Sequence, residues 1–300
     1  YNIADASGTQ VSCSFTVTVT DIEAPIIVCP DNITVSNDVG MCDAVVTYGP
    51  PGGVDNCPGE TISMTSGLGS GSTFPVGIST ESYTMTDSAG NQASCSFTIT
   101  VNETELPTIT CPVDTIVAAD PSTCATTVTY SAPVGSDNCT GQSTTQTAGL
   151  GSGATFSYGV TTETYTVTDA SGNTAQCSFN ITVLDTEIPV ITCPADTTAN
   201  NTADACSTNI TYTAPAASDN CTGLNVLLTS GLGSGGAFPV GATTVTYQAT
   251  DTAGNQAACS FTVTIIDNEA PGIICPADIT IGNDAGGCGA AVSYAAPDGT

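Results

Sequence analysis

Apolar residues in this chain sit at alternate positions in short runs, and the runs return at a fixed interval. In Ile26 to Val35 (IIVCPDNITV), Ile27, Cys29, Ile33 and Val35 share one parity, and in CDAVVTY the residues Cys42, Ala44, Val46 and Tyr48 share another. A third run lies around Thr61 to Ser66. Thr80 to Thr86 turns Tyr83 and Met85 inward, and Ala93 to Val101 does the same with Cys95, Phe97, Ile99 and Val101. Period-two alternation over four to eight residues predicts half-buried strands. No segment sustains a 3.6-residue period, so helices are expected to be nearly absent.

The connections are rich in turn residues. A turn at Ser36 to Met41 and a Pro/Gly loop ending in Asp55-Asn56-Cys57 flank the second run, and GLGSGSTFPVG reads as loop and bend. That glycine-rich stretch lacks the Lys and the following helix of a phosphate loop. The closing stretch TDSAGNQASCSFTITV (Thr86 to Val101) returns at Thr168 to Val183 and Thr250 to Ile265, and truncated at Asp5 to Val19. The period is 82 residues without insertion. It predicts repeats at 22–103, 104–185 and 186–267, flanked by fragments at 1–21 and 268–300. Both ends fall inside a repeat, as expected of a window from a longer array. The implied fold is all-β: tandem immunoglobulin-like antiparallel β-sandwich domains.

Composition narrows the chemistry. The chain has no Lys, Arg or His and 28 Asp and Glu, a formal charge of −28. Such a polyanion will not seek nucleic acid or an anionic membrane and should attract cations. No run is long enough to span a membrane as a helix. Hydrolytic chemistry lacks His and Lys, and no carboxylate pair stands out as flanking a cleft, so an enzyme is not expected.

All fifteen cysteines obey the period, four to each full repeat, which points to an oxidising, extracellular setting. Zinc is disfavoured, since there is no CxxC pair. Four cysteines permit three pairings. If the first and last strands are parallel neighbours, Cys29 and Cys95 both lie near strand starts with inward parity, within the Cα approach a disulfide needs. Cys42–Cys57 then follows by elimination. The expected set is Cys29–Cys95, Cys42–Cys57, Cys111–Cys177, Cys124–Cys139, Cys193–Cys259 and Cys206–Cys221, with Cys13, Cys275 and Cys288 finding partners outside these residues.

In the sandwich three acidic segments converge at the N-terminal pole: the hinge acids Asp21 and Glu23, the loop pair Asp55 and Asn56, and the turn residues Asp87 and Asn91. The set recurs as Glu103, Glu105, Asp137, Asn138, Asp169 and Asn173, and as Asp185, Glu187, Asp219, Asn220, Asp251 and Asn255. Hard oxygen ligands from separate loops suit calcium, which would stiffen the joint. Asp and Asn also close turns on their own, and both roles stay open. Ser88, Thr115 and Thr252 follow Asp and precede an aliphatic residue, resembling a bacterial O-glycosylation pattern, so the chain is a candidate glycoprotein.

Cys29-Pro30, Asp55-Asn56-Cys57, Phe74-Pro75-Val76-Gly77, Thr86-Asp87, Gly90-Asn91 and Cys95-Ser96-Phe97 together resemble the HYR (hyalin repeat) domain family across all three full repeats and both fragments. The resemblance implies an immunoglobulin-like fold and extracellular cell adhesion. The near-identical tandem units are similar to the repeat stalks of giant bacterial surface adhesins. The expected role is a structural, load-bearing segment of an extracellular filament or cell-surface adhesin stalk. Its expected partners are neighbouring repeats of the same chain, with self-association into filaments and an unidentified cell-surface or matrix partner. The alternative is a repeated binding module for glycan or a protein partner.

Overall fold

The computed structural model describes residues 1–299, so Thr300 of the fragment 268–300 lies outside the described residues. By contact the chain divides into two compact units. One takes in Tyr1–Asp114, Thr129–Gly153 and Thr162–Asn180; the other takes in Thr115–Val128, Ala154–Thr161 and the chain from Ile181 onward. Every regular element among the described residues is a strand.

In the first unit, a hairpin of β1 (Asn2–Ala4) and β2 (Gln10–Ser12) precedes a full repeat. The repeat contains β3 (Ile26–Val28), β4 (Ile33–Ser36), β5 (Asp43–Val46), β6 (Gly52–Val54), β7 (Thr61–Ser66), β8 (Ser72–Pro75), β9 (Gly77–Thr86) and β10 (Gln92–Asn102). One layer is a four-stranded sheet in the order β4-β10-β9-β7, antiparallel except where β4 runs parallel to β10. Facing it are two antiparallel ladders, β3 with β6 and β5 with β8. Residues of one parity from both layers form the core: Ala44, Val46, Phe74, Tyr83, Phe97, Ile99 and Val101.

In the second unit the third repeat uses the same plan, with Thr197–Asn200 parallel to Gln256–Ile266 and Gly241–Thr250 antiparallel to it. From the middle repeat, the first unit holds the pairing of Ser143–Ala148 with residues 164–168. The second holds the pairings of Thr115–Ala118 with residues 181–184 and of Ala125–Thr127 with Thr155–Ser157.

Three details depart from the alternation. The expected first strand, 26–35, is two strands that belong to different layers. The break falls at Cys29-Pro30, where proline has no N–H to give to a ladder, and Asn32 Oδ1 accepts the Thr98 amide (2.8 Å) across the gap. Asp114 and Asp196 do the same for Asn180 and Thr262. Second, the expected loops GGV and STFP are β6 and β8; each pairs with only one neighbour, so proline at the end of β8 costs no central ladder bond. Third, Cys42 is exposed despite sharing parity with Ala44 and Val46, because it lies before β5 begins.

The glycine-rich loop has an internal partner. Glu81 on β9 is fully buried, and its carboxylate accepts the amides of Leu68 (2.8 Å) and Gly69 (2.9 Å) and the hydroxyl of Tyr48 (2.7 Å). Burial opposes ionisation of Glu81, but those three donors outweigh it and hold its carboxyl below the usual value. Burial, then Tyr83 and Glu81, push the Tyr48 hydroxyl far up. Gly67, at φ +116°, sits so close to Glu81 that a Cβ would collide with the carboxylate. Glu163 repeats the arrangement with Leu150, Gly151 and Tyr130. The third repeat has Val245 in this position, and there Tyr212 donates to the Leu232 carbonyl instead (2.7 Å).

Candidate junction site

Each repeat begins with a hinge acid that lies against two loops of its own repeat. In the first repeat Asp21 Oδ1 accepts the Glu23 amide (3.1 Å), and Asn91 Nδ2 reaches the Asp21 carbonyl (3.3 Å). In the middle repeat Asn173 Nδ2 donates to Glu103 Oε2 (2.6 Å), and in the third Asn255 Nδ2 donates to the Asp185 carbonyl (3.2 Å). The turn acids Asp87, Asp169 and Asp251 are buried, and each accepts both the backbone and side-chain nitrogens of the Asn four residues on. These bonds hold all three carboxyls below the usual range despite burial. Asp87 and Asp251 therefore close their turns with both oxygens already engaged.

The loop acids Asp55, Asp137 and Asp219 each accept the amide of the following cysteine, at 2.9 to 3.0 Å. Three sets bring acidic oxygens within 4.8 Å of one another: Asp21 with Asp55, Asp185 with Asp219, and Glu103 with Asp137 and Asp169; Cys57 and Cys221 lie as close in the first two. Burial and the Asp169 carboxyl beside it push Glu103 up.

Glu105, Glu187, Asn138 and Asn220 face the preceding repeat. Glu105 Oε1 accepts the Gly40 amide (2.7 Å) and Asn138 Nδ2 donates to the Met41 carbonyl (2.7 Å). Glu187 accepts from Ser122 (2.8 Å), and Asn220 donates to Thr123 (2.7 Å). In the first repeat Glu23 and Asn56 bond each other instead (2.9 Å).

Three disulfides join the cysteines expected, and the junction contacts pair the others differently. Cys29–Cys95, Cys111–Cys177 and Cys193–Cys259 are disulfides, each with a sequence separation of 66. The other two link repeats: Cys42 bonds Cys139 and Cys124 bonds Cys221, each with a separation of 97. The expected Cys42–Cys57, Cys124–Cys139 and Cys206–Cys221 bonds are not formed, and Cys57 and Cys206 are unbonded here. The reason is polar placement. The turn before Cys42 sits at the exit of its repeat, where the Asn37 amide meets the Asn102 carbonyl (2.9 Å), whereas Cys57 lies beside the opening hinge. Strands β5 and β6 and the loop between them separate the two, and the exit of one repeat lies against the opening loop of the next.

Of the glycosylation candidates, Ser88 and Thr252 lie on exposed turns, and Thr115 begins a strand and is half-buried.

Residues 20–101, 102–183 and 184–265 each match the HYR domain profile. The chain belongs to the HYR domain family. It is 33% identical over 309 residues to a hyalin of Strongylocentrotus purpuratus and 34% identical over 310 residues to one of Lytechinus variegatus, each alignment covering 99% of this chain. It spans 26% and 58% of the length of those relatives. A segment is 35% identical over 170 residues to a rat sushi, von Willebrand factor type A, EGF and pentraxin domain-containing protein. Among solved structures, the protocadherin GammaB4 extracellular domain aligns over 92% of this chain and 61% of its own, at 15% identity and TM-score 0.33. Mouse cadherin-23 EC22-24 aligns over 81% and 99%, at 14% identity and TM-score 0.31. HYR repeats carrying five disulfides fit an extracellular repeat protein. No helix among the described residues is long and apolar enough to cross a membrane.

Proposed function

We propose that this segment is a structural, load-bearing element of an extracellular, adhesion-related repeat protein, a filament or cell-surface stalk, and that its work is tensile and not catalytic. One observation carries the reading: the five disulfide loops overlap. Every peptide bond from Cys29 to Cys259 lies inside at least one of them. Under tension the load crosses Cys29–Cys95 and then Cys111–Cys177, so the 66-residue span of each loop is not drawn out. The inter-repeat bonds add a second covalent route past the hinges at Glu103 and Asp185.

Force-extension measurement of the oxidised and reduced chain tests this. Oxidised, the slack per repeat is the 16 residues from Cys95 to Cys111, at most about 55 Å at ~3.4 Å per residue. Reduced, a whole 82-residue repeat gives about 280 Å. Long release events from the oxidised chain would refute the load-bearing role.

A further inference from the structure

The opening of the third repeat contains a carboxylate cluster whose charge nothing in the chain answers. Asp185 is 6% exposed, and its Oδ1 takes the Glu187 amide (3.2 Å) and the Asn220 Nδ2 (3.4 Å). Its Oδ2 is buried and has no hydrogen-bond partner. Asp219 uses Oδ2 on the Cys221 amide and leaves Oδ1 buried and unpartnered, and Asn220 Oδ1 is in the same condition. Three orphaned oxygens from consecutive or contacting residues are costly, because an unpaired buried carboxylate oxygen loses its water for nothing. With no Lys, Arg or His in the sequence, no side-chain cation can supply the missing charge.

We infer that Asp185, Asp219 and Asn220 form a binding site for a calcium ion, the orphaned oxygens being its ligands. The donors are all hard oxygens, as calcium prefers, and carboxylate oxygens of Asp185 and Asp219 within 4.8 Å of each other can be spanned by an ion with ligands at roughly 2.3 to 2.6 Å. Cys221 sulfur lies as close, but it is bonded to Cys124 and has no thiolate to offer, which removes the soft-metal reading. Asn220 also holds the Thr123 carbonyl of the preceding repeat, and Glu187, which follows Asp185 in the hinge, holds the Ser122 amide. An ion here therefore draws together the hinge, the opening loop and the disulfide that ties the loop to the repeat before. In the middle repeat Glu103 is engaged by Asn173, Glu105 and Asp169 and has no orphaned oxygen. In the first, Asp21 Oδ2 is orphaned as well, but Asp21 is only half-buried, Asp55 and Asn56 leave no orphaned oxygen beside it and Cys57 is a free thiol, so the inference is confined to the third.

The test is calorimetric titration of the oxidised chain with calcium in about 0.15 M salt, where diffuse binding to the polyanion is screened. Saturable binding is expected, with one equivalent lost in Asp185→Asn and one in Asp219→Asn. Asp31→Asn, the same charge change at an exposed position, keeps full stoichiometry. Absence of saturable binding, or unchanged stoichiometry in both site variants, overturns the assignment. Hydrogen exchange on the unaltered chain is independent of whether the variants fold. Calcium should slow exchange of the Glu187 and Cys221 amides by at least about tenfold, and no slowing there also overturns it.

Discussion

Replacing Cys42 and Cys139 together by serine removes one inter-repeat bond without leaving a free thiol. The cost follows from the ring the bond closes. With Cys29–Cys95 intact, the shortest path runs 13 residues from Cys42 back to Cys29, crosses that disulfide, and runs 44 residues from Cys95 to Cys139, a ring of about 57 residues. Chain entropy for a ring of that size amounts to about 4 kcal/mol. For a cooperative unit of two such repeats, each kcal/mol moves the melting midpoint by roughly 2 to 4 °C, so a fall of about 8 to 16 °C is expected. Thermal unfolding followed by circular dichroism reads it directly. Cys57→Ser is the control: Cys57 is unbonded in this chain, so its midpoint should stay within about 2 °C. Were the bond instead Cys42–Cys57, its ring of 15 residues would be worth about 3 kcal/mol and Cys57→Ser would show that loss. A double variant melting with the parent, or a Cys57→Ser variant falling as far, would refute the reasoning.

A protease site placed in the hinge between Glu103 and Pro107 should, when cut, leave one band on a non-reducing gel and two after reduction; two bands without reductant would break the overlap argument. Gly67→Ala should destabilise by about 2 kcal/mol or more, since its Cβ collides with the buried Glu81 carboxylate in a left-handed backbone. Gly71→Ala, also at positive φ but in open space, should cost only about 1 kcal/mol, and equal midpoints for the two would count against the Glu81 cradle. Glu81 should make stability depend on pH. Its folded carboxyl titrates below the unfolded value, so its contribution is full above about pH 4.5 and is lost as pH falls through the folded value. The stability gap between the parent and Glu81→Gln should therefore shrink on acidification, and a gap that widens would contradict the hydrogen-bond account.

Much of the fold was legible because alternation reports burial directly. Tyr83, Met85, Phe97, Ile99 and Val101 are all buried as their parity predicts. Glu81 shares that parity, which is the sequence signal for an acid inside the core; charge patterning hides it, because acids in this chain otherwise mark turns and hinges. The expected meeting of hinge and loop acids occurs in all three repeats, as Asp21 with Asp55, Glu103 with Asp137 and Asp185 with Asp219, but the turn acid joins them only in the middle one, as Asp169.

Sequence by itself determined the 82-residue repeat, the strands of the central sheet and the facing of Cys29 and Cys95, since each depends on local pattern or on neighbours within one repeat. Only the tertiary structure decided where Cys42 goes. Parity says which face of a strand a residue occupies, and Cys42 lies beyond the strand, at a pole whose nearest neighbour is another repeat's loop. The same holds for the orphaned oxygens of Asp185, Asp219 and Asn220. Any Asp or Asn can close a turn, and only the full count of donors around those three atoms shows that the turn leaves them unsatisfied.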